Sequence, residues 1–207
     1  MGIKAAVFDY GGVISFPPPT ETETELERLT GLPVETLRVL HRKHRGEWDR
    51  GTYSGIEYYR AILSDCGIFV DDASLARIVE ADIEGWKHVN PLTVKLMLDI
   101  KAARLKLGIL SNMPREFLSW VKANRLKLGG ANITVFSCEH NVIKPEPAIY
   151  EKLRDQLDCD YSEILFFDDA AENIAQARVL GIRGILWDGP EAAREIIKNM
   201  EPEFITS

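Results

Sequence analysis

Residues 5–14 read Ala-Ala-Val-Phe-Asp-Tyr-Gly-Gly-Val-Ile. An apolar run leads directly into Asp9, and a pair of glycines follows two residues later. A short apolar run without polar alternation is typical of a parallel strand that is buried on both faces. The stretch therefore predicts a buried strand over residues 5–8 with a carboxylate at its carboxyl end.

The rest of the chain repeats this pattern and alternates it with helical spacing. Helical patterns begin near Pro91, Pro114, Pro147 and Ala171. Strands that alternate with helices are expected of crossover units, so the chain is predicted to have an α/β fold around a parallel sheet. The further apolar runs are 107–110, 164–167, 184–187 and a less apolar one at 133–136.

Residues 15–90 break this alternation, because apolar residues recur there at helical spacing and no strand pattern follows. The prolines at 17–19 make a stiff exit from the first strand, and residues 89–91 make a plausible return. We therefore expect a core formed by residues 1–14 and 91–207, with a helical cap subdomain over residues 15–90.

Composition narrows the class of protein. With 45% hydrophobic residues the chain can bury a sizeable core, and a net charge of −7 without a long basic run argues against nucleic-acid binding. Three cysteines without C-x-x-C spacing indicate reduced thiols, and no apolar stretch is long enough for a membrane span. We expect a cytoplasmic monomer or homodimer with no membrane partner.

Polar groups stand at the predicted strand ends, where ligands collect in open parallel sheets. Asp9 follows the first run, Ser111 and Asn112 end the second, and Asp168 and Asp169 follow the run at 164–167. Each alone has a commoner explanation as a turn or helix cap. The ordered set, together with Lys144 before the helix at Pro147, indicates a single site.

These four motifs resemble those of the haloacid dehalogenase-like (HAD) superfamily. They read Phe-Asp-Tyr-Gly-Gly-Val-Ile, Ile-Leu-Ser-Asn, Ile-Lys-Pro-Glu-Pro and Phe-Phe-Asp-Asp-Ala-Ala-Glu-Asn. The resemblance spans the chain and is nearest to sugar-1-phosphate phosphatases and the N-terminal phosphatase domains of epoxide hydrolases. It implies a Rossmann-like parallel sheet core with an inserted helical cap of the C1 type.

The resemblance also implies a chemistry, namely hydrolysis of a small phosphorylated metabolite through an aspartyl phosphate. Asp9 would be the nucleophile, and Mg²⁺ would be held by Asp9, the carbonyl of Gly11 and Asp169. Asp168 would bind the metal directly or lie one layer further out. A divalent cation is needed because the attacking carboxylate and the phosphate repel each other.

Three further residues would complete this chemistry. Lys144 would pair with Asp9 and the transferring phosphoryl group, which makes it catalytic alongside Ser111. Ser111 and the backbone amide of Asn112 would bind the phosphate oxygens. In the cap, our candidates for substrate contact are His44, Trp48 and Trp86, because closure of a cap brings such side chains over the substrate.

One position departs from the pattern. Most phosphatases of this superfamily carry a second Asp two residues after the nucleophile, as the proton donor, whereas this chain has Gly11. Three interpretations stay open: a phosphatase with another proton donor, a 2-haloacid dehalogenase, or a phosphate-binding protein with vestigial turnover. An Asp introduced at position 11 is expected to raise turnover of esters with poor leaving groups, unless the donor has been replaced elsewhere.

Overall fold

The computed structural model describes residues 2–200, without the side chains of residues 126 and 127. Its centre is a sheet of five parallel strands in the order β3-β2-β1-β4-β5. β1 therefore lies in the middle, between β2 and β4. The strands are β1 (Ala5–Phe8), β2 (Lys106–Ser111), β3 (Ile133–Phe136), β4 (Ile164–Asp168) and β5 (Arg183–Leu186).

Helices fill most of the remaining chain. A π-helical turn (Tyr10–Ile14) follows β1, and 3-10 turns occur at Arg125–Leu128 and Tyr161–Glu163. The helices before β2 are α1 (Thr20–Thr30), α2 (Val34–Arg50), α3 (Gly55–Asp65), α4 (Asp72–Gly85) and α5 (Pro91–Ala102). The later ones are α6 (Arg115–Ala123), α7 (Ser137–His140), α8 (Pro147–Leu157), α9 (Ala171–Val179) and α10 (Pro190–Met200).

The sheet is covered on both faces, which explains its unbroken apolar strands. Side chains of α5, α6 and α10 pack against one face, for example Leu96, Phe117 and Ile197. Side chains of α8 and α9 pack against the other, for example Leu153 and Ile174. Parallel strands need helices on both faces because crossover connections return there. The predicted α/β class with a parallel sheet core is confirmed.

Helices α1–α4 pack around a separate apolar cluster that includes Leu26, Tyr59 and Ile78. The two chain crossings that link this unit to the sheet pair with each other. Phe16 N donates to His88 O at 2.8 Å, and Asn90 N donates to Ile14 O at 2.8 Å. The division into a cap at 15–90 and a core at 1–14 and 91–207 remains our proposal, and residues 1 and 201–207 lie outside the described residues.

The helical unit is docked on the sheet by polar contacts. Glu116 at the start of α6 accepts hydrogen bonds from Trp48 Nε1 at 3.0 Å and from Gly55 N at 2.6 Å. Arg50 at the end of α2 pairs with Glu146 before α8. These contacts hold the carboxyl end of α2 over the edge of the sheet where β1 and β2 end.

None of the described helices is long and apolar enough to cross a membrane.

Two helical glycines, Gly46 in α2 and Gly55 in α3, offer a matched test of how closely α3 packs against α4. A Cβ at Gly55 would lie 2.6 Å from Val79 Cγ1 on α4, whereas one at Gly46 would meet only Ile143 Cδ1 at 3.5 Å. Gly55→Ala is expected to lower the free energy of unfolding by about 1–3 kcal/mol through overpacking. Gly46→Ala should be neutral or raise it by up to about 1 kcal/mol, because alanine favours helix.

Urea denaturation of the two variants, followed by circular dichroism, measures both effects. A Gly55→Ala protein as stable as the parent would contradict the close approach of α3 and α4.

Candidate active site

Asp9 lies at the carboxyl end of the central strand, and its backbone extends the sheet through a 2.9 Å bond from Asp9 N to Phe167 O. Its Oδ1 accepts hydrogen bonds from Tyr10 N at 2.7 Å and from Lys144 Nζ at 2.8 Å. Both of these contacts fall on Oδ1. Among the described residues, Oδ2 is therefore the oxygen left to react.

Gly12 lets a second carboxylate approach this strand end. Its backbone is in the left-handed region, with φ +71°, which favours glycine. A Cβ there would also lie 2.3 Å from Asp169 Oδ2, so a larger residue would displace Asp169. Gly12 thus allows Asp169, which follows β4, to approach the carboxyl end of β1.

Lys144 carries the positive charge of the site and is 3% exposed. Its ammonium lies 2.8 Å from Asp9 Oδ1, 2.6 Å from Asp168 Oδ2 and 3.1 Å from Leu110 O. An ammonium has three N–H donors, and each has an acceptor here. Burial alone would lower the pKa of Lys144, but the charges of Asp9 and Asp168 raise it above its usual value. Lys144 is therefore a positively charged group that joins the carboxyl ends of β1, β2 and β4.

Asp168 is fully buried and both of its oxygens are engaged. Oδ1 accepts from Ala170 N at 2.8 Å and from Asn173 Nδ2 at 3.0 Å, and Oδ2 accepts from Lys144. The start of α9 thus sets the position of Asp168, because Asn173 lies in the first turn of that helix. This arrangement fits a residue that orients Lys144 better than one that presents a free oxygen to a metal.

Asn112 has a role that sequence reasoning missed. Its side chain accepts a hydrogen bond from Lys144 N at 2.7 Å and donates one to Lys144 O at 3.0 Å. This two-way contact fastens the loop that carries the lysine to the end of β2. The preceding Ser111 is 2% exposed and its hydroxyl bonds to Asn112 O at 3.3 Å. An Asn directly after a strand is common in turns, so the sequence pattern alone does not reveal this contact.

Three carboxylates converge on the strand ends. Asp9, Asp168 and Asp169 each offer an oxygen within 4.8 Å of the others. Burial raises the pKa of Asp9 to about 7, although Lys144 partly offsets it, and burial also raises the pKa of Asp169. One lysine does not balance three carboxylates, so a divalent cation fits the charge and the oxygen chemistry of this cluster. Asp9 and Asp169 are the residues most available to hold it.

A cavity of about 310 Å³ opens in front of this cluster, between the sheet and the helical unit. Asp9, Ser111 and Asp169 line it from the sheet side. The opposite wall is formed by residues of α2 and of the end of α4: Arg45, Trp48, Asp49, Ile83 and Trp86. The predicted site residues of the sheet are therefore brought together, and Trp48 and Trp86 face them.

The opposite wall is built around a guanidinium. Arg45 lies 5.0 Å from the ring centre of Trp48 and 5.8 Å from that of Trp86, distances that suit cation–π contact. Its Nε donates to Asp49 Oδ1 at 2.9 Å. Asp49 was not among the residues predicted from the sequence. Its i, i+4 spacing from Arg45, beside Trp48, is the pattern that could have indicated it.

The structure corrects the placement of His44. Its Nε2 lies 2.7 Å from Asp65 Oδ2 at the end of α3, and it does not line the cavity. The reason is helical geometry, because neighbouring residues on a helix point about 100° apart. Arg45 and Trp48 face the sheet, so the side chain of His44 is turned toward α3.

Position 11 is closed by an aromatic ring. The backbone of Gly11, with φ −67° and ψ 130°, is open to any residue. A Cβ there would nevertheless lie 3.1 Å from Cζ3 of Trp86, which is tight for a carbon contact. A longer side chain at position 11 would have to displace Trp86 from the cavity wall.

Several curated proteins are similar to this chain in sequence. Phosphatase MT3486 of Mycobacterium tuberculosis is 26% identical over 207 residues, covering 94% of this chain and 92% of the relative. Bifunctional epoxide hydrolase 2 of Mus musculus is 39% identical over 223 residues. That match covers 99% of this chain and 40% of the mouse protein, so the chain spans under half of that relative.

Solved structures share the fold. A HAD family enzyme, BT-2542 of Bacteroides thetaiotaomicron, in complex with magnesium and inorganic phosphate, has a TM-score of 0.71 at 22% identity. The match covers 90% of this chain and 95% of that one. The L-2-haloacid dehalogenase of Xanthobacter autotrophicus has a TM-score of 0.68 at 21% identity, covering 98% and 86%. At these identities the likeness shows the fold alone.

The family model of haloacid dehalogenase-like hydrolases matches residues 3–181 of this chain. These residues include all four motifs and the helical unit that follows the first of them. The match extends from β1 to the end of α9, so it contains Asp9, Lys144 and both acidic residues after β4. This chain belongs to the haloacid dehalogenase-like hydrolase family.

Proposed function

We propose that the chain is a magnesium-dependent phosphatase that takes the phosphoryl group of a small phosphate monoester onto Asp9. The proposal rests on how the Asp9 carboxylate is held and where it lies. Oδ1 is held by Lys144 and Tyr10 N, and the carboxylate borders the cavity. A nucleophile fixed at one oxygen presents the other in a constant direction. The names of the mycobacterial phosphatase and of the phosphate-bound structure support the same chemistry.

Asp9, Asp169 and the backbone carbonyl of Gly11 would hold the Mg²⁺ ion. When bound, the ion supplies positive charge between the carboxylate and the phosphate, whose repulsion at about 4 Å is roughly 4 kcal/mol at an effective dielectric of about 20. Asp168 stays outside this set in our proposal, because its oxygens already accept hydrogen bonds from Lys144, Asn173 and Ala170.

The chain's own groups then perform the transfer. Asp9 Oδ2 attacks phosphorus, and the leaving oxygen departs toward the wall formed by α2 and α4. The hydroxyl of Ser111 and the backbone N–H of Asn112 donate to the phosphoryl oxygens, while Lys144 keeps Asp9 aligned. Water then attacks the aspartyl phosphate and restores Asp9, which makes the reaction covalent and two-step.

The cavity sets the substrate class. A volume of about 310 Å³ suits a small phosphorylated metabolite. Trp48 and Trp86 both line the cavity, and the ring of Trp86, which is partly exposed, offers flat apolar surface to the leaving group. Contact of these two residues with substrate remains a proposal. A sugar phosphate is compatible with this size.

The dehalogenase alternative is disfavoured by charge. A 2-haloacid carries its own carboxylate, which would enter a cavity bordered by three carboxylates, Asp9, Asp49 and Asp169, and by one guanidinium, that of Arg45, which is already paired with Asp49. A phosphate ester meets the same difficulty, but the carboxylate cluster can hold a divalent cation that offsets it. Hydrolysis of a phosphate ester at this site therefore depends on the metal.

Three predictions test the proposed function, and the first concerns the metal. Release of phosphate from 4-nitrophenyl phosphate and from sugar phosphates is expected to stop when the metal is chelated and to return when Mg²⁺ is added. No chloride should be released from 2-chloropropionate under either condition. Chloride release without metal would favour the dehalogenase, and no release from either class would favour a phosphate-binding protein.

The second prediction concerns the nucleophile. Asp9→Asn should lower kcat for 4-nitrophenyl phosphate by roughly 10⁴-fold or more, since the neutral amide cannot form the covalent intermediate. Rapid acid quenching followed by peptide mass spectrometry should find one added phosphoryl group on Asp9 of the parent and none in the variant. Parent-like turnover by Asp9→Asn would refute the mechanism.

The third prediction separates the two neighbouring acidic residues. Asp169→Asn should raise the Mg²⁺ concentration for half-maximal activity at least roughly tenfold more than Asp168→Asn does. Asp168→Asn should instead lower kcat, because Lys144 loses the carboxylate that orients it. Magnesium titrations of both variants at saturating substrate provide the comparison, with thermal unfolding as a check on folding. Equal shifts would assign Asp168 to the metal.

A further inference from the structure

The proposed phosphatase still needs a group that protonates the leaving oxygen. Position 11 does not provide one, and the six-membered ring of Trp86 occupies the space into which a side chain at that position would extend. The donor must therefore come from another part of the cavity wall. This inference rests on the proposed function and names a residue for one of its steps.

Among the described residues that line the cavity, four besides the nucleophile have titratable side chains: Tyr10, Arg45, Asp49 and Asp169. The hydroxyl of Tyr10 donates to Trp86 O at 3.1 Å, and burial raises the pKa of Tyr10 well above its usual value. Arg45 does not release its proton in proteins. Asp169 belongs to the proposed metal site, which leaves Asp49 as the carboxyl that can serve.

The surroundings of Asp49 suit this task. The residue is 7% exposed, yet it borders the same cavity as Asp9 from the opposite side. Oδ1 accepts the bond from Arg45 Nε, which leaves Oδ2 as the oxygen that can carry a proton. Asp49 is the last residue but one of α2, where the helix dipole disfavours a negative charge. Burial raises the pKa of Asp49 above its usual value, against the opposing effect of Arg45.

The backbone of Asp49 is held in place from the sheet side. The hydroxyl of Ser137, at the start of α7, donates to Asp49 O and accepts from Met113 N at 2.8 Å. The same hydroxyl thus joins the end of α2 to the loop after β2. This contact fixes Asp49 with respect to the phosphate site even though it belongs to the helical unit.

We propose that Asp49 is the general acid and base that replaces the missing carboxylate at position 11. As the bond between Asp9 Oδ2 and phosphorus forms, the ester P–O bond breaks and the leaving oxygen takes the proton of Asp49. Asp49, now ionised, accepts a proton from the water that attacks the aspartyl phosphate. The bond from phosphorus to Asp9 then breaks, phosphate leaves, and both carboxyl groups return to their starting states.

The test compares two esters of similar shape in the full-length protein. 4-Nitrophenyl phosphate has a good leaving group that needs no proton, whereas benzyl phosphate releases a strongly basic alkoxide. Asp49→Asn should lower kcat/KM for benzyl phosphate by roughly 10²- to 10⁴-fold, the range of general acid catalysis, and for 4-nitrophenyl phosphate by less than about tenfold. A burst of 4-nitrophenol should precede slow turnover, because hydrolysis of the aspartyl phosphate also needs the base.

Asp65→Asn is the matched control. Asp65 is a carboxylate at the end of α3 in the same helical unit, bonded to Lys43 Nζ and to Nε2 of His44, and it does not line this cavity. The ratio of kcat/KM for the two esters should match that of the parent in this variant. Loss of the two activities in equal proportion by Asp49→Asn would mean a structural role and would overturn the proposal.

The parent protein gives a second readout that does not depend on the folding of a variant. The ratio of kcat/KM for benzyl phosphate to that for 4-nitrophenyl phosphate should fall as pH rises through the pKa of Asp49, since only the protonated acid assists the alkoxide. Ionisations that affect both esters cancel in this ratio. The groups within electrostatic range of Asp49 are Arg45 on α2, Tyr58 on α3, Asp82 on α4, Cys138 on α7 and Lys144.

A ratio that stays flat between about pH 5 and about pH 9 would overturn the assignment. Absence of phosphate release from both esters by the parent protein would instead refute the proposed function itself. The two failures are therefore distinguishable.

Discussion

The site depends on one buried ammonium. Lys144 lies between Asp9 and Asp168 and makes a third bond to the carbonyl of Leu110, with almost no exposure to solvent. Removing one partner of such a buried group leaves an uncompensated charge, which typically costs about 3–5 kcal/mol. The lysine therefore sets the spacing of β1, β2 and β4 at their carboxyl ends. Asn112 and Asn173 secure this arrangement from either side, one by holding the backbone of Lys144 and the other by holding Asp168.

Much of this arrangement could be predicted from the sequence, because it depends on patterns within short stretches. Unbroken apolar runs identify buried parallel strands, and polar residues at their ends fall on one edge of the sheet. Asp9, Ser111 and Lys144 were found in this way and through the resemblance to the family. The order of the strands, with β1 between β2 and β4, decides which ends are neighbours. That order is a property of the packed sheet and is not encoded in any single stretch.

The opposite wall of the cavity could not be predicted in the same detail. A helix presents several polar and aromatic residues, and the face that meets the sheet depends on contacts far apart in the chain. His44 and Arg45 are neighbours in sequence, yet one turns to Asp65 and the other to the cavity. The contact of Trp86 with position 11 joins residues 75 apart, so no local pattern reveals it. Sequence reasoning recognised the missing carboxylate, and only the structure shows the ring that stands there.

The contacts that dock the helical unit have a consequence for exchange of ligands with solvent. The unit is attached along one edge, where residues 14–16 and 88–90 pair, and is fastened elsewhere by Glu116, Ser137 and the pair of Arg50 with Glu146. Separation of the unit from the sheet would break this last pair, which is partly exposed and thus weakened by dissolved ions. Product escape that needs this separation should accordingly quicken with ionic strength, whereas bond cleavage in the cavity should be far less sensitive to it.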